Sequence, residues 1–284
     1  MRTAILLVLA ASGIFGIAVL VPTAEHAAGK VPGVRSAPAI SAPRPGQPAN
    51  PVIVELFTSE GCSDCPPADR LLYSLEQTQP VAGAEIIPLE EHVDYWDSEG
   101  WRDPFSSSRF TSRQQNYVYA FNLPSAYTPQ VVVDGATQLV GSDSHHLLPA
   151  IAQAARAPKA HLQIQQRAGA ASGPQSLLLR ISLAPLSGWN AKHGADVLLA
   201  ITEDNLASNV TAGENAGAHM NHLAVVRELR VLGRVDSSGA FSAAPDLSLA
   251  GNWKRENLHI VVFMQDRATR RILGASTLSL SAAK

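Results

Sequence analysis

The chain lacks an excess of charge of either sign. Its 22 basic residues nearly balance its 24 acidic ones, which leaves a formal net charge of −2, and the basic residues are scattered along the sequence. Nucleic-acid binding requires a basic face, so the composition argues against nucleic acid as a partner. The sequence also shows no phosphate-binding glycine loop and no Ser-His-Asp arrangement, which are the usual signatures of nucleotide-binding proteins and serine hydrolases.

Cysteine is nearly absent too, because the 284 residues include only Cys62 and Cys65. A chain without a second cysteine pair cannot build a four-cysteine zinc site. The two residues stand three positions apart, after an apolar run at 51–58 that predicts a strand and before a run at 66–79 that predicts a helix. Strand, short loop, Cys-x-x-Cys and helix is the order of a thioredoxin-like redox site.

This order gives the two thiols different settings. Cys62 can lie at the helix N-terminus, where free N–H groups and the macrodipole favour a thiolate. Asp64 opposes that thiolate by charge repulsion, so we expect the pKa of Cys62 in the upper part of the activated range of about 3.5 to 7.5. Cys65 lies one turn away and can close a small disulfide. A purely structural disulfide is the alternative, although so short a loop constrains the unfolded chain little.

The N-terminal 27 residues predict an export signal or a membrane anchor. Arg2 precedes an uncharged apolar run at 4–21, which is the pattern of a signal segment. As a helix this run spans about 27 Å, which is marginal for a bilayer core of about 30 Å. A proline-rich stretch at 28–51 predicts an extended linker. We therefore expect an exported protein, periplasmic or secreted, that either loses residues 4–21 by cleavage or stays anchored by them, in a disulfide-permissive compartment.

Residues 52–157 predict a thioredoxin-like α/β domain, with elements in the order β-α-β-α-β-β-α. Thr128 and Pro129 precede the third predicted strand, where that fold has a cis proline facing the cysteine pair. X-Pro bonds have a cis form of low cost, and a cis bond here would place the backbone of Thr128 beside Cys62, ready to pair with an extended substrate. An ordinary trans proline before an edge strand is the alternative.

Six segments of the chain are distinctive: ELFTSEGCSDCPPAD at 55–69, HVDYWD at 92–97, GWRDPF at 100–105, YTPQ at 127–130, VDG at 133–135 and GENAG at 213–217. Together they resemble domain-of-unknown-function family 1223, a family of uncharacterised secreted proteins. The resemblance extends from about Val52 to the C-terminus, and its first segment is highly specific. It implies a thioredoxin-like fold, but it implies no substrate.

Two further features surround the predicted redox site. Glu55 stands on the strand that leads to the cysteines, where thioredoxins keep a buried carboxylate that accepts the proton of the second thiol; its alternative role is to pair with a Lys or Arg. Tyr95, Trp96 and Trp101 form an aromatic loop that either lines a substrate groove or packs between two domains, and packing is the commoner use of such residues. Aspartates in the same loop do not follow the twelve-residue calcium pattern.

Residues 158–284 predict an all-β, sandwich-like domain, because short apolar runs alternate with Gly, Ser and Asn turns. A loop at 214–222 carries Glu214, His219 and His222, which have ligand atoms for copper or zinc. The two histidines would converge only on a helix, however, and the stretch has no helical pattern. We therefore expect no metal site here, but a hydrogen-bonded loop that docks on the first domain and shapes the approach to the cysteines.

The sequence thus predicts an exported thiol–disulfide oxidoreductase. Its catalytic residues are Cys62, Cys65 and Pro129, and its supporting residues are Thr128, Glu55 and Asp64. Cys62 would attack a partner disulfide and Cys65 would resolve the mixed disulfide, with no cofactor beyond the redox-active Cys62–Cys65 disulfide. Partners would be protein thiols or disulfides, with membrane contact only through an N-terminal anchor. The alternatives are a non-catalytic envelope interaction protein with a structural disulfide and, more remotely, a metallochaperone.

Overall fold

The computed structural model describes residues 49–167, 175–184, 189, 194–235 and 237–280. The predicted signal or anchor at 1–27, with its apolar run at 4–21, and the predicted linker up to residue 48 lie outside the described residues. Asn50 and Pro51, expected as the end of the linker, are instead the first residues of a strand. No described helix has both the length and the apolar character needed to cross a membrane.

The described residues form a mixed, sheet-rich fold. The first segment contains β1 (Asn50–Thr58), α1 (Pro66–Thr78), β2 (Ala84–His92), α2 (Ser108–Ala120), β3 (Gln130–Val133), β4 (Thr137–Val140) and α3 (Ser144–Ala154). The second segment contains β5 (Leu162–Gln166), β6 (Ser176–Leu183), β7 (Ala195–Glu203), β8 (Leu206–Asn209), β9 (His219–His222), β10 (Val225–Arg234), β11 (Phe241–Ala243), β12 (Asp246–Ser248), β13 (Leu258–Asp266) and β14 (Ile272–Ser279).

Eight strands form one sheet in the order β14-β13-β7-β10-β2-β1-β3-β4. β1 and β2 are parallel, whereas β3 and β4 follow as an antiparallel hairpin on the other side of β1. Asp134 and Gly135 form the turn of that hairpin with φ of 48° and 59°. Glycine is required at 135, because a Cβ there would lie 1.9 Å from the carbonyl oxygen of Arg270.

The three helices cover both faces of the first four strands. α1 and α3 pack on one face, where Leu72 and Ile151 belong to the same buried apolar cluster as Val54. α2 packs on the opposite face, where Tyr117 contacts Phe57. Since successive residues of a strand point to opposite faces, the uninterrupted apolar run of β1 is buried on both sides.

The second segment does not form an independent sandwich. β5, β6, β11 and β12 make a small second sheet that packs on β7 and β13, with residues such as Ile181 and Val262 in the shared core. Two sheets therefore pack face to face as in a sandwich, but one of the two layers is part of the eight-stranded sheet that also contains β1–β4. Val225 in β10 pairs with Glu90 in β2, so the second segment covers a strand edge that the first would otherwise leave open.

Candidate functional site

The cysteine pair occupies the turn between β1 and α1. The backbone N–H of Cys62 donates to the carbonyl of Ser59 at 3.1 Å, and the N–H of Cys65 donates to the carbonyl of Cys62 at 3.2 Å. Cys65 is the N-cap residue of α1, and prolines occupy the first helical positions, where a missing N–H removes no hydrogen bond. The sequence therefore folds locally as predicted, with both cysteines at the start of the helix.

Both cysteines are free thiols, and they are 1% and 0% exposed. A hydrogen bond from Cys65 lowers the pKa of Cys62 to about 7 against the effect of burial, and the Thr128 hydroxyl and the backbone N–H of Asp64 act in the same direction. Burial raises the pKa of Cys65 far above its usual range, and the neighbouring Cys62 raises it further. Cys62 is thus the more acidic thiol, and Cys65 keeps its proton near neutral pH.

This result matches the expected range for Cys62 but changes the role of Asp64. Its charge was expected to oppose the thiolate, whereas its backbone N–H favours the thiolate by hydrogen bonding to it. The side chain of Asp64 is exposed, so solvent screens its charge. Residue 64 therefore stabilises the thiolate of Cys62 through its backbone N–H, which the turn places there, and not through its side chain.

The reaction of Cys62 with iodoacetamide should titrate near neutral pH in the reduced protein. Because only the thiolate reacts, the alkylation rate should increase with pH along a single titration curve whose midpoint is near 7. Timed alkylation followed by mass spectrometry of peptides gives the rate for each cysteine. Cys62→Ser should remove the titrating component. A midpoint near the ordinary thiol value of about 8.5, or equal labelling of both residues, would contradict the assignment.

Thr128 lies against Cys62, and the peptide bond between Thr128 and Pro129 is cis, as predicted. Thr128 hydrogen-bonds to Cys62 and accepts a hydrogen bond from the indole Nε1 of Trp96 at 2.8 Å. Behind the proline, a Cβ at Gly141 would lie 2.9 Å from the Cβ of Pro129, so glycine allows β4 to approach this closely. The dipeptide is held from both sides.

Asp69 is a site residue that the sequence analysis missed. It lies four residues after Cys65 on α1, so one helical turn places both side chains on the same face. The hydroxyl of Thr58 donates to Asp69 Oδ1 at 2.7 Å and also contacts the thiol of Cys65, while Asp69 Oδ2 is buried without a hydrogen-bond partner. Burial, together with the charge of Glu90, raises the pKa of Asp69 to about 7.

Glu55, by contrast, does not serve the cysteines. It points to the face of β1 that α2 covers, where it pairs with Arg113 and accepts a hydrogen bond from the hydroxyl of Tyr117. Of the two roles left open by the sequence, the structure has the ion pair. The buried carboxylate beside the second thiol is Asp69, because α1 lies on the opposite face of the strand.

The predicted contact between the second segment and the cysteines is present. Glu214 accepts a hydrogen bond from the backbone N–H of Ser63 at 3.0 Å. Asn215 Nδ2 donates to the carbonyl oxygens of Glu60 and Cys62, each at 2.9 Å. The loop is shorter than predicted, since His219–His222 forms β9. These bonds hold the loop over the turn that carries Cys62.

The aromatic loop braces the site. Besides the bond from Trp96 to Thr128, the indole of Trp101 donates to Glu60 Oε2 at 2.8 Å. Tyr95 is 38% exposed and its hydroxyl donates to Gln114 at 3.2 Å. Trp96 and Trp101 therefore serve packing and positioning, whereas Tyr95 keeps a surface that a partner can reach.

A buried cluster of charged side chains lies next to this turn. It comprises Glu60, Glu90, His92, Asp103 and His222, each at most 3% exposed. His222 contacts Glu90 at 2.8 Å and Glu60 at 2.9 Å, and His92 contacts Asp103 at 2.7 Å. Burial opposes ionisation, but His222 holds the pKa of Glu90 near 2, and the carboxylates raise the pKa of His222 to about 9.

Three residues of this cluster could hold a metal ion. One ligand atom each from Glu90, His92 and His222 lies within 4.8 Å of the others. His219 is not among them: it is exposed on β9 and hydrogen-bonds to Asn209 at 2.8 Å. Residues three apart on a strand point to opposite faces, which separates the two histidines that the sequence analysis considered together.

Comparison with known proteins gives a family and a fold neighbour. The model of a protein family described as "Protein of unknown function (DUF1223)" matches residues 53–265. The crystal structure of protein AGR_C_4864 from Agrobacterium tumefaciens is 26% identical, covers 84% of this chain and 98% of its own, and superposes with a TM-score of 0.62. A domain of the outer membrane lipoprotein Omp28 from Porphyromonas gingivalis, at 15% identity, 43% and 88% coverage and a TM-score of 0.27, supports no inference. No curated protein matches.

Proposed function

Because the chain belongs to the DUF1223 family, whose function is unassigned, we propose its function from its own site: a thioredoxin-like thiol–disulfide oxidoreductase acting on protein thiols or disulfides. The observation that carries this proposal is the asymmetry of the pair. Cys62 has a pKa of about 7, whereas Cys65 stays protonated next to it. A redox-active cysteine pair needs one activated thiol that attacks and a second thiol that stays protonated until it resolves the mixed disulfide. A structural disulfide needs neither property.

The surroundings support the thioredoxin-like assignment. The order β2-β1-β3-β4, with two parallel strands followed by an antiparallel hairpin, has α1 and α3 on one face and α2 on the other. A cis Thr128–Pro129 bond lies beside Cys62, at the place where such proteins align an extended substrate. We also propose export, on the evidence of residues 1–27, into a compartment where disulfides persist.

In the proposed reaction the thiolate of Cys62 attacks one sulfur of a partner disulfide. A mixed disulfide forms, and one partner thiolate leaves and takes a proton from solvent. Cys65 then gives its proton to Asp69 and attacks the sulfur of Cys62, which releases the second partner sulfur as a thiolate and leaves a Cys62–Cys65 disulfide. This thiolate takes a proton from solvent, and Asp69 returns its proton to solvent. Two electrons pass from the dithiol to the partner; the reverse sequence oxidises a partner dithiol.

Asp69 suits the proton transfer because its pKa of about 7 allows both gain and loss of a proton near neutrality. Its buried, unpartnered Oδ2 is free to accept, and Thr58 holds the other oxygen. Glu55, for which the sequence left open this task and an ion pair with a Lys or Arg, is engaged by Arg113 on the other face of β1.

The reduction potential tests the proposal directly. Equilibration with glutathione redox buffers, followed by alkylation and mass spectrometry, gives the fraction of dithiol at each ratio. A potential between about −270 and −120 mV is that of exchange-active pairs, whereas structural disulfides lie below about −300 mV. We expect a value in the first range. A value below −300 mV would instead support an interaction protein with a permanent disulfide.

That second candidate has one observation in its favour, which is that Cys62 is 1% exposed. A partner sulfur must reach it in line with the bond that breaks. Exchange with a protein therefore requires that an element covering Cys62 moves. We propose that this element is the loop of Glu214 and Asn215, which hydrogen-bonds to the backbone of Ser63 and Cys62.

Asn215→Ala should open this cover. The change removes the hydrogen bonds to the carbonyls of Glu60 and Cys62, which together contribute about 1–3 kcal/mol. Alkylation of Cys62 at fixed pH should accelerate about tenfold, as 1.4 kcal/mol corresponds to one factor of ten. Asn221→Ala, on the exposed face of β9, is the matched control. An unchanged rate in Asn215→Ala would mean that another element excludes the reagent.

A further inference from the structure

The buried cluster beside the cysteines has the arrangement of a metal centre. Glu90 and His92 are alternate residues at the end of β2, so their side chains leave the strand on the same face. His222, at the end of β9, meets them from the second segment. Glu90 Oε1 lies 2.8 Å from His222 Nδ1 and 3.5 Å from His92 Nε2.

Each histidine is oriented by a second carboxylate on its far nitrogen. His92 Nδ1 lies 2.7 Å from Asp103 Oδ2, and His222 Nε2 lies 2.9 Å from Glu60 Oε1. Metal-binding histidines commonly donate their other N–H to a carboxylate, which fixes the tautomer and the ring orientation. Without metal, both nitrogens of His222 donate, to Glu60 and to Glu90, so a cation has to displace the proton of Nδ1. The contacts with Asp103 and Glu60 then keep His92 Nε2 and His222 Nδ1 facing Glu90.

One nitrogen in this cluster has only a long contact. His92 Nε2 is fully buried and makes no close hydrogen bond, and its ion-pair partner Glu90 Oε1 lies 3.5 Å away. Buried polar atoms are almost always paired at hydrogen-bond distance, so a nitrogen with so long a contact, facing a carboxylate and a second histidine, leaves a position that a cation can fill. This atom points to a cation more directly than the carboxylates alone would.

The cluster is shielded from solvent, and it contains carboxylates that can offset the charge of a cation. The ring of Phe105 packs edge-on against both imidazoles, with centroids 5.4 and 5.5 Å away. Three buried carboxylates, Glu60, Glu90 and Asp103, surround the two rings and can compensate a dication. A low-dielectric shell of this kind strengthens coordination and slows exchange with solvent.

We propose that Glu90, His92 and His222 bind a divalent first-row transition metal, for which Zn²⁺ is the probe. Two imidazoles and a carboxylate suit such ions better than Ca²⁺ or Mg²⁺, which prefer oxygen ligands alone. At metal–ligand distances of about 2.0–2.2 Å, neighbouring ligand atoms lie about 3.3 Å apart. The three ligand atoms lie within 4.8 Å of one another, so changes of at most about 1.5 Å in their separations complete the site. The ion would join β2 to β9 next to the cysteine turn.

The test uses the full chain with both cysteines replaced, Cys62→Ser/Cys65→Ser, so that thiols cannot bind the probe. After removal of metal with a chelator, ZnCl₂ is titrated calorimetrically, and Co²⁺ serves as a spectroscopic probe of coordination. We expect one equivalent of Zn²⁺ per chain, a higher Tm with Zn²⁺ than without, and Co²⁺ absorption bands typical of low coordination number. A chain that binds no Zn²⁺ in this background would overturn the proposal.

Single substitutions then locate the site. His92→Gln and His222→Gln should weaken binding at least 100-fold, and Asp103→Asn, which changes only the orienting carboxylate, about 10- to 100-fold. His219→Gln, on the same strand as His222 but exposed, should bind Zn²⁺ like the parent. Circular dichroism of each metal-free variant checks folding; if the histidine variants unfold, Asp103→Asn decides. Undiminished binding in folded His92→Gln or in Asp103→Asn would refute the assignment.

Discussion

Cys65→Ser should convert the protein into a trap for its disulfide partner. Cys62 can still attack and form the mixed disulfide, but the residue that releases the partner is missing. Incubation with a disulfide-bonded peptide, followed by mass spectrometry without reductant, should show a stable adduct at Cys62. Cys62→Ser should abolish both adduct formation and turnover, because Cys65 is buried with a strongly raised pKa and cannot replace the nucleophile.

The control lies between the two thiols. Ser63 is exposed and donates to Glu214 through both its hydroxyl and its backbone N–H. Ser63→Ala keeps the backbone bond, so the exchange rate should stay close to that of the parent. If Cys65→Ser forms no adduct while the reduced parent is alkylated normally at Cys62, then the thiol is activated but does not act on disulfides. That result would reject the oxidoreductase proposal and leave the fold assignment intact.

Arg113→Ala should cause the largest loss of stability among substitutions of charged residues on α2. Arg113 is buried, pairs with Glu55, contacts Glu91 Oε1 at 3.3 Å and donates to Gln265 Oε1 at 3.2 Å. Removing it leaves two buried carboxyl groups without their cation. Breaking a buried pair in this way typically costs about 3–5 kcal/mol of unfolding free energy.

Urea denaturation followed by circular dichroism measures this loss. Arg109→Ala is the matched control, since Arg109 is exposed on the same helix one turn earlier and should change the unfolding free energy by less than about 0.5 kcal/mol. Arg113→Met combined with Glu55→Gln should recover part of the loss, because it removes one of the orphaned charges. A cost below about 1 kcal/mol for Arg113→Ala would show that water reaches the carboxylates.

The local parts of the site could be predicted from the sequence. The apolar run of β1, the Cys-x-x-Cys turn and the proline-led helix are contiguous, and each carries its own signal. The Thr128–Pro129 dipeptide was recognisable from its place before β3. These features depend on backbone propensities over a few residues, which a single sequence records.

The parts of the site that depend on contacts between residues far apart in the sequence could not be predicted. Glu55 pairs with Arg113 on α2, and Asp69, for which the sequence predicted no role, lies on α1 with Cys65. The face of β1 to which Glu55 points decides this outcome, and the sequence alone did not settle that face. The spacing of His222 and Glu60, 162 positions apart, carries no local signal of contact. β10 pairs with β2 through a single residue pair, Val225 with Glu90. The hydrophobic pattern of either strand therefore could not predict that the two strands are neighbours.

Hydrogen bonds between the second segment and the first have a consequence for how the protein folds. The N–H of Ile272 in β14 donates to the carbonyl of Asp134 at 2.7 Å, and the Asn215 loop, which hydrogen-bonds to the Cys62 backbone, lies more than 150 residues downstream of that cysteine. Contacts of such long sequence separation form slowly, because a large loop must close before they contribute. A growing chain therefore carries its two thiols unshielded until its C-terminal third has been made, and an oxidant or a misplaced partner has its best access in that interval.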